Sequence, residues 1–158
     1  MSAAYEAVPG SVVGADYRAA LEDVADRARR AVVLVALDPD GCLLGGVTYA
    51  AGAGPFANLA HQNEAELRML AVSQESKRQG VGRGLVRACV QRAAAENRHR
   101  LWLETASWMV EAQALYRGVG FKAVRDRNRT VVSSGLRVEL RAYALDLSWQ
   151  LHRPGSPD

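Results

Sequence analysis

Long apolar runs, a recognisable leader and metal-ligand spacings are all missing from this chain of 158 residues. The longest apolar run, residues 31–37, has the length of a strand and falls short of the roughly 18 residues of a membrane helix. The N-terminal sequence MSAAYEAVPG has neither a basic start nor an apolar core, so we expect a cytoplasmic protein with no membrane partner. Cys42 and Cys89 lie in apolar contexts without metal-ligand spacing, which predicts two buried free thiols and no metal site.

Internal repeats, low-complexity segments and an interdomain linker are also absent from the sequence. Apolar residues make up 49% of the chain, which is enough for a core, and the length fits one domain. We therefore expect a single domain over residues 1–147, followed by a disordered tail over residues 148–158.

Charge is unevenly distributed, although the net charge is only +3. Residues 1–66 carry four Arg against nine acidic residues, a net −5, and residues 67–158 carry sixteen Lys and Arg against eight acids, a net +8. A basic second half favours a phosphate-bearing partner. Nucleic acid is the alternative, but apart from Trp102 and Trp108 no aromatic residues interleave the basic ones, so we do not expect a nucleic-acid partner.

The most informative stretch is residues 64–85, EAELRMLAVSQESKRQGVGRGL. Its first part alternates apolar side chains with Glu66 and Arg68, which predicts a half-buried strand. The alternation places three apolar side chains on one face: Leu67, Met69 and Ala71. After a polar connection, a glycine-rich turn over residues 77–84 leads into an apolar stripe at helical spacing. Such a turn exposes backbone N–H groups and the positive end of the helix dipole, so it predicts an anion site.

Apolar periodicity and turn residues predict the other elements. They are a first helix over about residues 16–30, strands at 31–38 and 42–51, a long loop at 52–63, a helix at 81–96, a strand at 100–105, a short helix at 108–118 ended by Gly120, a short strand at 121–124, a polar loop at 125–135 and a long strand at 136–147. The strand–helix–strand unit over residues 64–105 should be parallel and right-handed. Hairpins on either side of it predict an α/β fold with a mixed, mostly antiparallel sheet flanked by helices.

Two well-known types of phosphate-binding site, the P-loop and the dinucleotide-binding turn, do not match the sequence of this glycine-rich turn. A P-loop needs Lys-Ser or Lys-Thr after its last glycine, whereas Gly84 is followed by Leu85. A dinucleotide site gains support from Glu104, which ends the next strand where a ribose-binding acid would lie. The spacing, however, is GxGxG rather than GxGxxG, seven residues separate Val72 from Gly80, and the sequence predicts a single βαβ unit.

A third interpretation covers more of the chain. The stretch EAELRMLAV…KRQGVGRGL resembles the acetyl-CoA-binding segment of the GNAT N-acetyltransferase superfamily, whose hallmark is Arg/Gln-x-x-Gly-x-Gly/Ala. Downstream, LWLET…AQALYRGVGF looks like the superfamily's next strand and its helix ending in LY-x-x-x-GF. The predicted element order matches as well, so the resemblance extends over about residues 16–147 and implies a GNAT-type fold.

The resemblance implies acetyl-CoA as a co-substrate. Backbone N–H groups of residues 79–84 would hold the pyrophosphate, nearby cations would add charge, and the backbone at the end of the preceding strand would pair with the pantetheine arm. The implied cofactor-binding residues are Leu70, Ala71, Val72, Lys77, Arg78, Gln79, Gly80, Val81, Gly82, Arg83, Gly84, Met109 and Ala112. Two positions depart from the family: Lys77 replaces Arg or Gln, and Met109 stands where many members carry an asparagine that contacts the cofactor arm.

Two side chains are candidates for moving protons. Tyr116 matches the tyrosine with which many GNAT enzymes protonate the leaving thiolate, although a core tyrosine on the short helix is the alternative. Glu66 matches a position where some members keep a glutamate base, and a structural Glu66–Arg68 pair is its alternative. Glu104 is a reserve base, and His61 in the long loop could also contact an acceptor.

Together these features predict an acyl-CoA-dependent N-acyltransferase that transfers acetyl from acetyl-CoA to an amine by direct attack in a ternary complex. The alternative is a catalytically silent GNAT-fold module that binds acyl-CoA as a sensor. The acceptor is a small-molecule or protein amine, and the arginines of residues 125–135 favour an acidic or carboxylate-bearing one. The resemblance also allows a homodimer, although no sequence feature specifies an interface.

Overall fold

The computed structural model describes Ala19 and residues 22–149. The described residues form a seven-stranded sheet in the order β1-β2-β3-β4-β7-β5, with β6 pairing β7. The strands are β1 (Val32–Leu37), β2 (Leu43–Ala51), β3 (Ala65–Val72), β4 (Arg100–Ala106), β5 (Lys122–Ala123), β6 (Arg129–Ser133) and β7 (Leu136–Asp146). Only β3 and β4 pair in parallel among these strands, so the mixed, mostly antiparallel sheet predicted from the sequence is confirmed.

Three α-helices accompany the sheet in the described part of the chain: α1 (Val24–Arg30), α2 (Val81–Ala95) and α3 (Val110–Val119). Asp23 caps α1 by accepting the backbone N–H of Asp26 at 2.9 Å. The earlier start predicted for this first helix, near residue 16, lies outside the described residues, as does the tail from residue 150 onward.

Gly120 ends α3, as its sequence context predicts. It adopts φ +118°, its N–H bonds the carbonyl of Arg117 at 3.0 Å, and the N–H of Phe121 bonds the carbonyl of Tyr116 at 3.0 Å. This pair of bonds is the Schellman arrangement, which requires a left-handed residue that glycine adopts without steric cost. The turn fixes the end of the helix that carries Tyr116.

Different parts of the chain pack against the two faces of the sheet. Leu101 and Leu103 of β4 pack with Leu85 and Val86 of α2 in the main hydrophobic cluster. Trp102, between those leucines, points to the other face, where it packs with residues 59 and 60 of the loop that precedes β3. The helices therefore cover one face, and the loop over residues 52–63 covers part of the other.

Strand β3 departs from the predicted alternation because it contains a bulge. Thr48 pairs with Arg68 and Gly46 pairs with Ala71, so β3 has one extra residue here, and Met69 lies at φ +55°. The bulge changes which residues share a face. Leu67 and Leu70 pack against the helix-side cluster, and the expectation that Leu67, Met69 and Ala71 share one face is wrong.

Two other expectations also need correction. The predicted polar loop over residues 125–135 contains a short 3₁₀ helix, Arg125–Arg127, and then strand β6, which forms a hairpin with β7. Cys89 is buried in α2, where burial raises the pKa of its thiol to about 12, but Cys42 is exposed in the turn before β2. The prediction of two buried thiols is therefore wrong for Cys42.

Candidate functional site

The centre of the sheet opens into a wedge between β3 and β4. Their parallel pairing is confined to Ala65 with Leu101 and Glu66 with Trp102. Beyond those pairs, residues 67–72 of β3 and residues 103–106 of β4 have no partner across the gap, although β3 still pairs with β2 and β4 with β7. Unpaired strand edges present N–H and C=O groups that an extended ligand can bind as an added strand.

The glycine turn forms the start of α2 beside this wedge. Gly80 is the N-cap residue at φ +82°, and no side chain caps the helix. The first N–H groups of an α-helix have no intrahelical partner, and the helix dipole adds positive potential there. The N–H groups at the start of α2 thus offer uncapped donors to an anion, whereas the N–H of Gly84 is already bonded to the carbonyl of Gly80 at 2.9 Å.

Two further glycines in this turn have different surroundings. A Cβ added to Gly82 would lie 3.0 Å from Leu115 Cδ1, so this glycine lets α2 approach α3 closely. A Cβ added to Gly84 would meet nothing within 4 Å, and its φ is not positive. Packing within the chain therefore explains Gly82 but does not explain Gly84, whose open side leaves space for a ligand.

The three cations of the turn are only loosely held. Arg78 has a side chain 89% exposed and lies 3.6 Å from the exposed carboxylate of Glu111. Lys77 is half-buried, and Arg83 is exposed along the side of α3 that carries Gly118. Lys77 and Arg78 lie on the turn between β3 and α2, where they contribute positive charge beside the uncapped helix start, whereas the Arg83 guanidinium lies against Gly118 of α3.

The other residues of the predicted cofactor set border the same region. Leu70, Ala71 and Val72 form the end of β3 at the open side of the wedge. Val81 is the first residue of α2 and Ala112 lies on α3, and both pack against the main cluster. Met109 is the N-cap residue of α3, directly after β4 and its short turn. The predicted cofactor residues thus lie on β3, the glycine turn and α3 around one opening.

Tyr116 is buried, with 5% of its surface exposed. Its ring lies 6.1 Å from the Phe121 ring and 6.5 Å from the Tyr143 ring, centroid to centroid. One turn earlier on α3, buried Gln113 donates to the carbonyls of residues 106 and 107 at the end of β4 and accepts from the Tyr143 hydroxyl at 3.1 Å. These contacts fix α3, and with it Tyr116, against β4 and β7. These contacts are compatible with a tyrosine that only packs in the core and also with one that donates a proton.

Glu66 lies at the point where the wedge begins, and it is fully buried. Its Oε2 accepts three backbone N–H groups, from Asn58 at 2.7 Å, Leu59 at 2.8 Å and Ala60 at 3.3 Å. Its Oε1 is buried without a hydrogen-bond partner among the described residues. Burial raises the pKa of this carboxyl, and the three N–H groups and the charge of Arg68 oppose that rise.

Glu66 and Arg68 do not form the ion pair that was the structural alternative for them. Arg68 instead donates to the carbonyl of Phe56 at 2.8 Å, while Glu66 holds the backbone of residues 58–60. Glu64, two residues earlier on the chain, accepts the N–H of His61 at 2.9 Å. Three alternate side chains of the β3 segment therefore bind successive parts of the loop over residues 52–63, which we call the anchored loop.

Glu104, the reserve base, is engaged by an arginine. Arg129 on β6 donates to both of its carboxylate oxygens, at 2.7 and 2.8 Å, and this pairing raises the arginine's pKa. The side-chain amide of Asn58 also donates to Glu104, at 3.3 Å. Sequence reasoning missed Asn58, for which the length of the anchored loop was the one signal. It counted Arg129 among the cations of a polar loop but did not predict strand β6 or the pairing with Glu104.

Other candidates lie apart from the wedge. The side chain of His61 is exposed, and the part of this residue that binds Glu64 is its backbone N–H. A shallow cavity of about 470 Å³ lies at the opposite end of β4, and none of its lining residues belongs to the glycine turn. Its lining residues are Arg100, Gly120, Lys122, Val124, Ala144, Leu145 and Asp146. No helix within the described residues is long and apolar enough to cross a bilayer.

Several known proteins share this architecture. The Brucella melitensis ribosomal-protein-alanine N-acetyltransferase is 22% identical, with a TM-score of 0.65 over 90% of this chain and 89% of that one. The yncA protein of Salmonella typhimurium, solved with its cofactor acetyl-CoA, is 20% identical, with a TM-score of 0.61 over 90% of this chain and 77% of that one. At this level of identity the likeness establishes the fold, which is the GNAT fold predicted from the sequence.

Sequence comparison gives the family. N-acetyltransferase family 8 member 3 of Rattus norvegicus is 35% identical over 75 residues, which are 48% of this chain and 33% of that relative. The chain thus spans about a third of the length of the curated relative that it matches. A family model described as the acetyltransferase (GNAT) family matches residues 4–121, which include the wedge strands, the glycine turn and Tyr116. The chain belongs to the acetyltransferase (GNAT) family.

Proposed function

We propose that this protein is an N-acetyltransferase that uses acetyl-CoA as its acyl donor. The observation that carries the proposal is the wedge between β3 and β4, which opens beside an uncapped, glycine-rich helix start. Coenzyme A combines an extended pantetheine arm with a pyrophosphate. The wedge edges suit the arm, and the uncapped N–H groups at the start of α2 suit the pyrophosphate.

The reaction needs one bond to form and one to break. The nitrogen lone pair of the acceptor amine attacks the acetyl carbonyl carbon, and collapse of the tetrahedral intermediate breaks the C–S bond. A backbone N–H at the bulged end of β3, within residues 70–72, would stabilise the oxyanion. The amine's proton passes to Glu66, directly or through a water molecule, and Tyr116 protonates the departing thiolate. Burial raises the pKa of Glu66 in the direction of neutral pH, which is the direction that a general base requires.

A second function, acyl-CoA binding without turnover, is favoured by one feature. Oε2 of Glu66 already accepts three backbone hydrogen bonds, and the carboxyl is fully buried. A carboxylate held in this way is also what a purely structural role requires. Such a module would bind acetyl-CoA at the same wedge and lack the proton transfers.

The acceptor is an amine on a small molecule or a protein. Arg127 and Arg129 lie at the start of the β6–β7 hairpin, on the side of the sheet that carries Trp102, since Arg127 lies over that ring at 5.2 Å and Arg129 pairs with Glu104. We propose that this positive charge favours an acceptor with a carboxylate over a polycation.

Acetylation assays with the full chain test the proposal. The panel of acceptors contains L-glutamate, the dipeptide Ala-Glu, spermidine and a lysine-rich peptide, each with acetyl-CoA. We expect acetyl-CoA-dependent turnover, and we expect Tyr116→Phe to lower kcat by about 100-fold because general acid catalysis typically contributes that much or more.

Tyr49→Phe is the matched control for Tyr116→Phe. Tyr49 is also buried, and it donates to Glu96 near the C-terminal end of α2, away from the wedge. It should retain wild-type kcat with a small loss of stability. Equal kcat for Tyr116→Phe and wild type at all pH values would remove the acid role. Binding of acetyl-CoA without turnover of any amine would favour the sensor function.

A further inference from the structure

The anchored loop covers part of the face of the sheet that the helices leave open. Arg68 holds its carbonyl at Phe56, Glu66 holds the backbone N–H groups of residues 58–60, and Glu64 holds that of His61. Trp102 and residues 59 and 60 pack together beneath it. The loop backbone therefore has a fixed position over the sheet, which fixes the points from which its side chains extend.

Asn58 is the loop residue that links the two acidic side chains at the opening of the wedge. Its backbone N–H donates to Glu66 at 2.7 Å, and its Nδ2 donates to Glu104 at 3.3 Å. Its side-chain oxygen, Oδ1, accepts no hydrogen bond from any described residue, and Asn58 is exposed. A polar oxygen that is held in place and unpaired is ready to accept a hydrogen bond from a ligand.

The two faces of the wedge are available to different reactants. Helix α2 and the glycine turn lie on the face of Leu101 and Leu103, where the proposed pyrophosphate site is. Trp102 and Glu66 are paired across the two strands and so share the opposite face, and Glu104 joins them two residues along β4. An acceptor that meets the acetyl group while coenzyme A occupies the helix side must approach from this opposite face, past Asn58.

We propose that Asn58 is an acceptor-binding residue, whose Oδ1 accepts a hydrogen bond from the ammonium group of a primary amine at the mouth of the wedge. The assignment rests on the proposed acetyltransferase function and gives that function a residue for substrate selection. The bond to Glu104 orients the amide so that Nδ2 faces the carboxylate and Oδ1 faces the incoming amine. The unpaired Oε1 of Glu66 belongs to the same carboxylate that fixes the Asn58 backbone, so Asn58 and the proposed base are held together.

Asn58→Ala and Asn58→Asp separate this role from a structural one. Alanine loses both the acceptor oxygen and the donor to Glu104, whereas aspartate keeps an acceptor oxygen and loses the donor. With the panel amine that the wild type acetylates fastest, we expect alanine to raise the acceptor KM about tenfold, the effect of one charge-assisted hydrogen bond. Aspartate loses the orienting bond to Glu104, but its charge attracts the ammonium group more strongly than an amide oxygen does. It should therefore restore the acceptor KM to within about threefold of wild type, while the KM for acetyl-CoA stays unchanged in both variants.

Asn63→Ala is the matched control, because Asn63 is an exposed residue of the same loop whose side chain makes no hydrogen bond among the described residues. It should leave both KM values and the melting temperature unchanged. Equal losses in Asn58→Ala and Asn58→Asp, or no loss in either, would overturn the assignment while leaving the acetyltransferase function standing. A wild type that acetylates no amine would overturn the proposed function and this assignment together.

Discussion

Glu66 combines two properties that normally oppose each other. It is fully buried, which disfavours the carboxylate, and it accepts three backbone N–H groups, which favour it. Burial is the larger effect, so the pKa of Glu66 is raised in the folded protein. The protonated form is therefore the form that the folded state stabilises.

This raised pKa predicts how stability depends on pH. The folded state binds the Glu66 proton more tightly than the unfolded state does, so the contribution of Glu66 is greatest below its ordinary pKa of 4.5 and declines as pH rises through the folded pKa. In Glu66→Gln this part of the pH dependence disappears. Urea unfolding of both proteins over about pH 5 to 9 should show the free energy of unfolding of wild type minus that of Glu66→Gln falling as pH rises. A difference that instead grows with pH would mean that the three N–H groups outweigh burial.

Sequence reasoning identified Glu66 but not its surroundings. The motifs around Glu66 and Tyr116 are visible in a sequence, and their resemblance to those of the GNAT superfamily is what makes the two residues candidates. The partners of Glu66 are backbone groups from a loop without regular structure, and no side-chain pattern marks a backbone donor. The same reason explains why Asn58 was missed and why Arg68, a natural partner by charge, proved to bind the Phe56 carbonyl.

At the scale of elements, the sequence predicts a feature where the residues that determine it are neighbours in the chain. The end of α3 at Gly120 depends on a few neighbouring residues, so the sequence contains all that is needed. Residues 125–135 are mostly polar, so their sequence predicted a loop and not strand β6. Ser134 at φ +50° and Gly135 at φ +79° form a two-residue turn between the paired residues 133 and 136. Ser-Gly between alternating residues is a local signal for such a hairpin. The bulge at Met69 has no such local signal, since the pairing with β2 determines it.

The glycine turn of α2 predicts opposite effects of one substitution on stability and on binding. Gly84→Ala replaces a helical glycine whose Cβ would meet nothing within 4 Å, so it should raise the free energy of unfolding by up to about 1 kcal/mol. The added methyl group would occupy space beside the helix start where we place the pyrophosphate. Thermal unfolding and calorimetric titration should therefore show a more stable protein with weaker acetyl-CoA affinity.

Gly82→Ala is the comparison variant for Gly84→Ala. Its added Cβ would lie 3.0 Å from Leu115 Cδ1, so α2 and α3 would have to separate slightly, and stability should fall. If Gly84→Ala bound acetyl-CoA as tightly as wild type, the pyrophosphate would lie elsewhere, whatever the change in stability.

At the scale of the whole molecule, the sheet consists of two parts with a short connection. The first part is β1, β2 and β3, and the second is β4, β7, β5 and β6, with continuous antiparallel pairing inside each part. Two residue pairs between β3 and β4 link the two parts, and α2 packs across the link through the main cluster. A ligand that pairs with both facing edges would complete the sheet and connect its two parts.

This division predicts how acetyl-CoA changes the dynamics of the protein. If the pantetheine arm binds the edge of β3, amide hydrogen exchange should slow in residues 67–72 and 79–84, while β1, whose edge lies far from the wedge, should be unaffected. The melting temperature should rise with acetyl-CoA concentration, because the ligand binds the folded state alone. NAD is the control, since its two nucleotides need a dinucleotide turn that the GxGxG spacing does not provide, and it should change neither measurement. Protection confined to the cavity near Arg100 and Lys122, with the wedge unchanged, would move the cofactor site to the other end of β4.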